Sequence, residues 1–102
     1  MSIKSYAVIS GAAGGVGRAI AVELKNQNYS LCLLVKQKDD ARVMDLVTED
    51  DTTIVCDLAD KTSRSEAWRS IHSWSSQIDV LVNAAGIAYG ATSLMTPYDD
   101  LR

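Results

Sequence analysis

The chain has 102 residues, of which 47% are hydrophobic, and a formal net charge of -3 at pH 7. This length and composition suit one small domain with a single hydrophobic core. The negative charge and the lack of a basic cluster argue against a nucleic-acid partner. No apolar run approaches the roughly 20 residues of a membrane-spanning helix, so no membrane partner is expected.

The two cysteines, Cys32 and Cys56, lie inside apolar strand-like runs, without CxxC spacing or flanking histidines. This pattern predicts buried free thiols in a reducing compartment and no disulfide or zinc site. The first predicted strand begins almost at Met1, which leaves no room for a cleaved signal peptide. We therefore expect an intracellular protein.

The first predicted elements are a strand over 5–9 and a helix over 15–26, joined by a glycine-rich turn. Gly11 can take backbone angles that a side chain forbids. Gly15 and Gly17 have no side chain, so a pyrophosphate and the neighbouring strand can come close to the backbone there. The N–H groups of the first helical turn then face an anion. An ordinary glycine-rich loop is the alternative interpretation.

The next run, 30–35, is apolar throughout, as expected of a parallel strand covered on both faces. A polar turn follows it. Asp39 or Asp40 is placed to cap a short helix that ends near Val47. The sequence thus repeats the order of strand and helix.

A third strand is predicted over 52–56, followed by a longer helix over 61–76. Trp68, Ile71 and Trp74 are expected on the apolar side of that helix. Residues 78–82 lead into a fourth strand, which 83–86 close.

Four strands with helices between them predict an α/β fold, a Rossmann-type parallel sheet with the strand order 3-2-1-4. A ligand should bind beyond the carboxyl ends of strands 1 and 4, where that order reverses. The most informative residues follow the strands in the same way: the turn 10–17, Lys36, Asp57 and the segment 83–86.

These residues together resemble the signature of the short-chain dehydrogenase/reductase family. The turn Ser10-Gly11-Ala12-Ala13-Gly14-Gly15-Val16-Gly17 is similar to the TGxxxGxG turn of that family, with Ser10 in place of threonine. Asp57-Leu58 resembles its acidic residue after strand 3, which contacts adenine. Asn83-Ala84-Ala85-Gly86 is similar to its NNAG motif, with Ala84 where a second asparagine is usual.

The resemblance implies a nicotinamide dinucleotide site formed by Ser10, Gly11, Ala13, Gly15, Val16, Gly17, Lys36, Asp57, Leu58, Asn83, Ala84, Ala85 and Gly86. Within the family, the motifs look most like those of 3-oxoacyl-(acyl carrier protein) reductases, which act in fatty acid biosynthesis, and related carbonyl reductases. This implies reduction of a carbonyl such as a 3-oxoacyl thioester. A cytoplasmic location is expected, and a mitochondrial one is the alternative.

The position at the end of strand 2 predicts NADP in preference to NAD. NAD-selective members of the family carry an acidic residue there, whereas this chain has Val35 followed by Lys36, with Lys38 nearby. A lysine attracts the 2′-phosphate of NADP. The chain departs from the family at Gly14, where many NADP-preferring members carry a second basic residue. A solvated turn is the alternative role for the two lysines.

Several other polar residues could have a structural role instead of a functional one. Arg18 is expected to lie along the helix surface, because backbone amides already serve the pyrophosphate. Asp57 is alternatively a plain helix cap, and Asn83 alternatively ties strand 4 to its neighbour through main-chain hydrogen bonds. His72 has no partner carboxylate at useful spacing and is expected to be a surface or half-buried residue.

The catalytic residues that the resemblance implies are missing. The family uses a serine and a tyrosine acid/base assisted by a lysine four residues on. No tyrosine of this chain is followed by lysine at that spacing. We therefore expect residues 1–102 to be a partial dinucleotide-binding domain, truncated after strand 4 and inactive alone, with the catalytic half absent. A non-catalytic sensor or partner module and a non-functional remnant are the alternatives.

The fourth strand is fully apolar, and its outer edge is expected to expose unpaired backbone groups and apolar side chains. This predicts self-association or pairing with a complementing chain.

Overall fold

The computed structural model describes residues 4–38 and 40–84 of the chain. Strands and helices alternate along this part. The elements are β1 (Ser5–Ser10), α1 (Gly15–Asn26), β2 (Tyr29–Val35), α2 (Ala41–Met44), β3 (Thr52–Val55), α3 (Lys61–Trp74) and β4 (Val80–Asn83).

The strands form a four-stranded sheet in the order β3-β2-β1-β4. Every neighbouring pair is parallel; Ala7 in β1, for example, is paired with Leu31 on one side and Val80 on the other. The predicted Rossmann-type α/β fold with strand order 3-2-1-4 is therefore confirmed. The strand order reverses between β1 and β4, so a ligand of this sheet is expected beyond the carboxyl ends of these two strands.

The core has one layer on each face of the sheet because side chains alternate along each strand. On one face, Ile9 and Leu33 pack in a fully buried cluster with Ala21 of α1 and Val43 of α2. The other face is covered by α3. There Val8, Cys32 and Ile71 pack together, with Trp74 and Ile78 at the margin. Both cysteines are free and buried, as predicted, and burial raises the pKa of Cys32 to about 12.

Two helices are shorter than predicted. The α2 helix ends at Met44 instead of near Val47, because the Thr48 N–H turns to donate to the Asp51 carboxylate. The α3 helix ends at Trp74, where Ser75 takes an extended conformation. The cap of α2 is Asp40, whose side chain accepts from the Arg42 N–H, while Asp39 lies outside the described residues.

Two large apolar side chains, those of Trp68 and Leu81, are exposed. Trp68 was expected on the apolar side of its helix, yet 44% of it is exposed, whereas Ile71 is buried. Leu81 in β4 is 59% exposed, as expected for a strand with its outer edge open. Trp68 of α3 and Leu81 of β4 line one pocket on the face of the sheet that α3 covers.

Candidate functional site

The turn after β1 depends on two glycines for different reasons. Gly11 has a φ of 68°, in the left-handed region that side chains disfavour. At Gly17 an added Cβ would lie 2.1 Å from the Gly11 carbonyl oxygen. The turn therefore holds α1 directly against the end of β1, as predicted from the sequence. Gly14 closes the turn by donating its N–H to that same carbonyl at 3.1 Å.

The N-terminus of α1 is left without a side-chain cap. Its N-cap residue is Gly14, and the first turn contains no acidic residue. The other two helices of the described part differ: Asp40 caps α2 and Asp60 caps α3, each carboxylate accepting a backbone N–H at 3.0 Å. The first N–H groups of α1 therefore remain available for an external anion.

The ends of all four strands meet at a pocket of about 290 Å³ beside this helix. Each strand contributes residues at or just beyond its carboxyl end. The lining is Gly11, Ala13 and Gly14 after β1, Leu34, Val35 and Lys36 of β2 and its turn, Arg42 of α2, Cys56 and Leu58 after β3, and Ala84 after β4. Five predicted residues thus meet here, namely Gly11, Ala13, Lys36, Leu58 and Ala84.

A second pocket, of about 240 Å³, adjoins the first. Ser10 and Asn83, two further predicted residues, line it. The Ser10 hydroxyl donates to Asn83 Oδ1 at 2.9 Å, and the Ala84 N–H donates to the Ser10 carbonyl at 3.1 Å. Asn83 therefore ties β4 to β1 through its side chain, while the main-chain bond comes from the next residue. Leu58 lines both pockets.

The other predicted residues do not line these two pockets. Gly15 and Val16 border a separate shallow depression on the outer face of α1, and Gly17 is buried beneath the turn. Asp57 is exposed, and its Oδ1 accepts the Ala59 N–H at 3.0 Å. The helix cap proposed as its alternative role belongs to Asp60 instead.

Ala85 and Gly86, the last two residues of the predicted set, lie outside the described residues.

Arg42 is a pocket residue that the sequence reasoning missed. Its guanidinium donates to both carboxylate oxygens of Asp40, at 3.0 and 2.7 Å. Hydrogen bonds from the Arg42 side chain, and then from its N–H, hold the pKa of Asp40 at about 2. Its position two residues after a capping aspartate was the available signal, because that position lies in the first turn of α2, beside the end of β2.

Arg18 lies along the helix surface, as predicted. Its guanidinium forms a bidentate pair with the Asp45 carboxylate at 2.9 and 2.7 Å and also donates to the Arg42 carbonyl. The hydrogen bond from Arg18 lowers the pKa of Asp45. Arg18 therefore links α1 to the end of α2. His72 is exposed on α3, and its Nδ1 lies 3.0 Å from the Trp68 carbonyl oxygen of the same helix.

Residues 4–38 and 40–84 offer neither a metal site nor a membrane-spanning helix. This part contains no group of three or more His, Cys, Asp and Glu residues placed to hold a metal ion. It also contains no helix long and apolar enough to cross a membrane.

The family model for short chain dehydrogenase matches residues 5–101. The chain belongs to this family. The match extends over almost the whole sequence, including the glycine turn, the residues after β3 and the segment that follows β4. The resemblance identified from the motifs is therefore confirmed.

Named relatives come from animals, bacteria and archaea. The chain is 29% identical over 101 residues to carbonyl reductase family member 4 of Danio rerio, covering 97% of this chain and 43% of the relative. It is 33% identical over 94 residues to the 3-oxoacyl-[acyl-carrier-protein] reductase FabG of Rickettsia conorii, covering 91% of this chain and 37% of the relative. The chain thus spans about two fifths of these short-chain dehydrogenases.

The fold also matches solved short-chain dehydrogenase structures. One is the alcohol dehydrogenase of the archaeon Thermococcus sibiricus in complex with 5-hydroxy-NADP. It is 26% identical, with a TM-score of 0.68, and the match covers 78% of this chain and 36% of the archaeal protein.

Proposed function

We propose that this chain binds NADP(H) as the dinucleotide-binding part of a short-chain reductase. The observation that carries the proposal is the convergence of all four strand ends on one pocket beside the uncapped start of α1. Ligands of open parallel sheets bind at this edge, next to the point where the strand order reverses. The archaeal relative holds an NADP derivative, which supports the same class of ligand here.

The residues present fit such a cofactor. A Cβ placed on Gly15 would find no atom within 4 Å, so the first residue of α1 faces open space. We assign the pyrophosphate to the N–H groups of that turn and the adenosine half to the pocket lined by Lys36 and Leu58. Asp57, Ala85 and Gly86 complete the proposed set. When bound, the nicotinamide supplies the hydride for a carbonyl substrate.

NADP is proposed in preference to NAD because of the charge at the end of β2. Val35 is buried and apolar, so no carboxylate there accepts hydrogen bonds from a ribose. Lys36 follows it, exposed and on the pocket wall. A cation at this position favours the cofactor that carries an additional phosphate.

For the whole protein we propose reduction of a carbonyl such as a 3-oxoacyl thioester, the substrate class in the name of the Rickettsia relative. The chain alone is proposed to bind cofactor without turnover, because no tyrosine stands four residues before a lysine. A non-catalytic binding module and a non-functional remnant are the alternatives. The buried free thiols support a reducing compartment, the cytoplasm first and the mitochondrion second.

The edge of β4 supports a protein partner, either a second copy or a complementing chain. Leu81 is exposed beside Leu58 and Trp68, and the three line one pocket. The opposite edge, β3, is more mixed: Thr52, Glu66 and Ser70 lie there, together with the exposed Val55. We expect Leu81→Lys to reduce self-association in sedimentation velocity. Equal association of wild type and variant would refute pairing through β4.

A titration with NADPH and NADH tests the binding proposal, and the emission of the nucleotide and of Trp68 and Trp74 follows it. Saturable binding that favours NADPH is expected. Lys36→Asp should weaken the binding of NADPH by about tenfold, because a charge reversal beside the phosphate costs ~1.4 kcal/mol of binding free energy. Lys61→Asp, on the exposed first turn of α3, is the matched control and should not weaken it. Absence of binding by folded protein would refute the proposal.

A turnover assay separates the alternatives. In the presence of a 3-oxoacyl thioester, the 102-residue chain should bind NADPH but should not oxidise it. Oxidation of NADPH at a rate above the protein-free control would refute the proposed inactivity. Failure of the chain to fold and to bind either nucleotide would favour the remnant.

A further inference from the structure

We propose that Arg42 supplies the second positive charge for the 2′-phosphate of NADP(H), in place of the basic residue that the glycine turn lacks at Gly14. The inference rests on the proposed function and assigns a specificity role within it. Arg42, Gly14 and Lys36 line the same pocket, although they come from three separate segments of the chain. A cation from α2 therefore borders the same pocket as Gly14 and Lys36.

The guanidinium of Arg42 is oriented before any ligand arrives. Asp40 accepts from Arg42 Nε and Nη2, and the Asp40 side chain is only 5% exposed. The Arg42 side chain is 64% exposed. One edge of the guanidinium is thus anchored to a buried carboxylate, and its remaining N–H donors are left for a second anion. An anchored fork loses less conformational freedom on binding than a free lysine does.

The backbone of Arg42 is held as well. Its carbonyl accepts a hydrogen bond from Arg18 of α1, and Arg18 is itself fixed by the bidentate pair with Asp45. This arrangement joins the first turn of α1, the proposed pyrophosphate site, to the first turn of α2. The Arg18 side chain thus connects the two proposed phosphate-binding regions.

A phosphate group is the ligand that suits this pair of cations. Arginine binds phosphate through parallel N–H donors, and Lys36 adds a mobile point charge on the same pocket wall. The ribose hydroxyl of NAD carries no charge and gains little from either residue. Arg42 should therefore change the ratio of the two affinities, which a residue needed only for folding does not do.

Gly14 offers a rescue experiment. Its φ is -76°, which any residue can adopt, and an added Cβ would lie 3.5 Å from the Gly11 carbonyl oxygen, an ordinary contact. Gly14→Arg is thus sterically allowed. If Arg42 replaces a missing cation at this position, an arginine placed there should compensate for its loss.

The test is a titration of the 102-residue chain with NADPH and NADH. We expect Arg42→Gln to weaken the binding of NADPH about tenfold, as for loss of a charge-assisted hydrogen bond. The binding of NADH should weaken less than about twofold. Arg42→Lys should lose less affinity for NADPH than Arg42→Gln does. Adding Gly14→Arg to the Arg42→Gln variant should restore its NADPH affinity. Arg69→Gln, an exposed arginine of α3, is the matched control.

The outcomes separate this inference from the function on which it rests. Binding of both nucleotides with an unchanged affinity ratio in Arg42→Gln would overturn the role of Arg42 and leave the dinucleotide site intact. An equal loss of both affinities would show a structural role and would also overturn it. If wild type binds neither nucleotide, both proposals fail.

Discussion

The hydroxyl of Ser10 donates to the side-chain oxygen of Asn83 at 2.9 Å and so joins the ends of β1 and β4. Ser10 is only 5% exposed, so water is a poor substitute for this bond. The two residues fix the place where the sheet order reverses.

Replacing this hydroxyl should loosen β4. We expect Ser10→Ala to lower the free energy of unfolding by about 1 kcal/mol, a typical value for one intramolecular hydrogen bond. Ser10→Thr retains the donor and should stay close to wild type. Urea denaturation followed by circular dichroism measures the difference. If both variants unfold at the same urea concentration, the hydroxyl does not hold the strand.

The two glycines at positions 15 and 17 should separate binding from folding. Gly17→Ala forces a Cβ to 2.1 Å from the Gly11 carbonyl oxygen, so the turn must shift, at a cost of about 1–3 kcal/mol or more. Gly15→Ala meets no atom within 4 Å and should leave the helix equally or more stable. It should still weaken the binding of the dinucleotide, because the methyl group is added on the first residue of α1, next to the N–H groups proposed to bind the pyrophosphate. Thermal unfolding and NADPH titration of both variants test this, and destabilisation by Gly15→Ala alone would contradict it.

Asp51 is a buried hydrogen-bond acceptor for three segments. Its side chain is 1% exposed, accepts the Leu31 N–H at 2.8 Å and the Thr48 N–H at 2.9 Å, and pairs with Lys25. We expect Asp51→Asn to cost about 3 kcal/mol, since the lysine would lose its partner and one carboxylate oxygen would become a donor.

The neighbouring Asp50 is the control for that substitution. Its ion pair with Lys4, at 3.3 Å, is exposed on both sides. Asp50→Asn should change the free energy of unfolding by about 0.5 kcal/mol or less. Equal costs for the two asparagine variants in urea denaturation would show that the buried network contributes nothing special.

Acid should unfold the chain partly through Asp40. Hydrogen bonds from Arg42 hold the pKa of Asp40 at about 2, below the ordinary value of about 3.9. The unfolded chain therefore takes up this proton first, so the stabilisation is complete above about pH 4 and is lost as the pH falls towards about 2. Arg42→Gln should flatten the dependence of the unfolding midpoint on pH in this window. An unchanged slope would contradict the assignment.

The sequence predicted the fold well because its signals are local. The glycine turn, the apolar run of β2 and the alternation of elements each predict structure from adjacent residues, and the strand order follows from the handedness of the crossovers. The bounds of α1 were also correct. The left-handed conformation of Gly11 and the tight packing of Gly17 could be inferred because glycine adopts the first without strain and is the one residue that fits the second.

The sequence predicted less about contacts between distant segments. Arg42 was missed because its place on the pocket wall depends on the path of the turn before α2, which Asp40 sets from beneath. The cap of α3 was assigned to Asp57 as one alternative, yet Asp60 lies at the first turn and forms it. The exposure of Trp68 depends on how far α3 extends over the sheet, and helical periodicity does not report that.

The hydrogen bonds that hold the strands together connect residues at very different separations along the sequence. Asp51 bonds to Leu31 across 20 residues, whereas Asp79 bonds to Tyr6 across 73. Closing the longer loop costs more chain entropy, so β4 should dock last, onto a preformed unit of β1, β2 and β3. The glycine turn and the positively charged side of the pocket belong to that early unit, and Asn83 and Ala84 arrive with the late strand. A dinucleotide that contacts both parts would therefore slow the dissociation of β4 from the sheet more than the dissociation of any other strand.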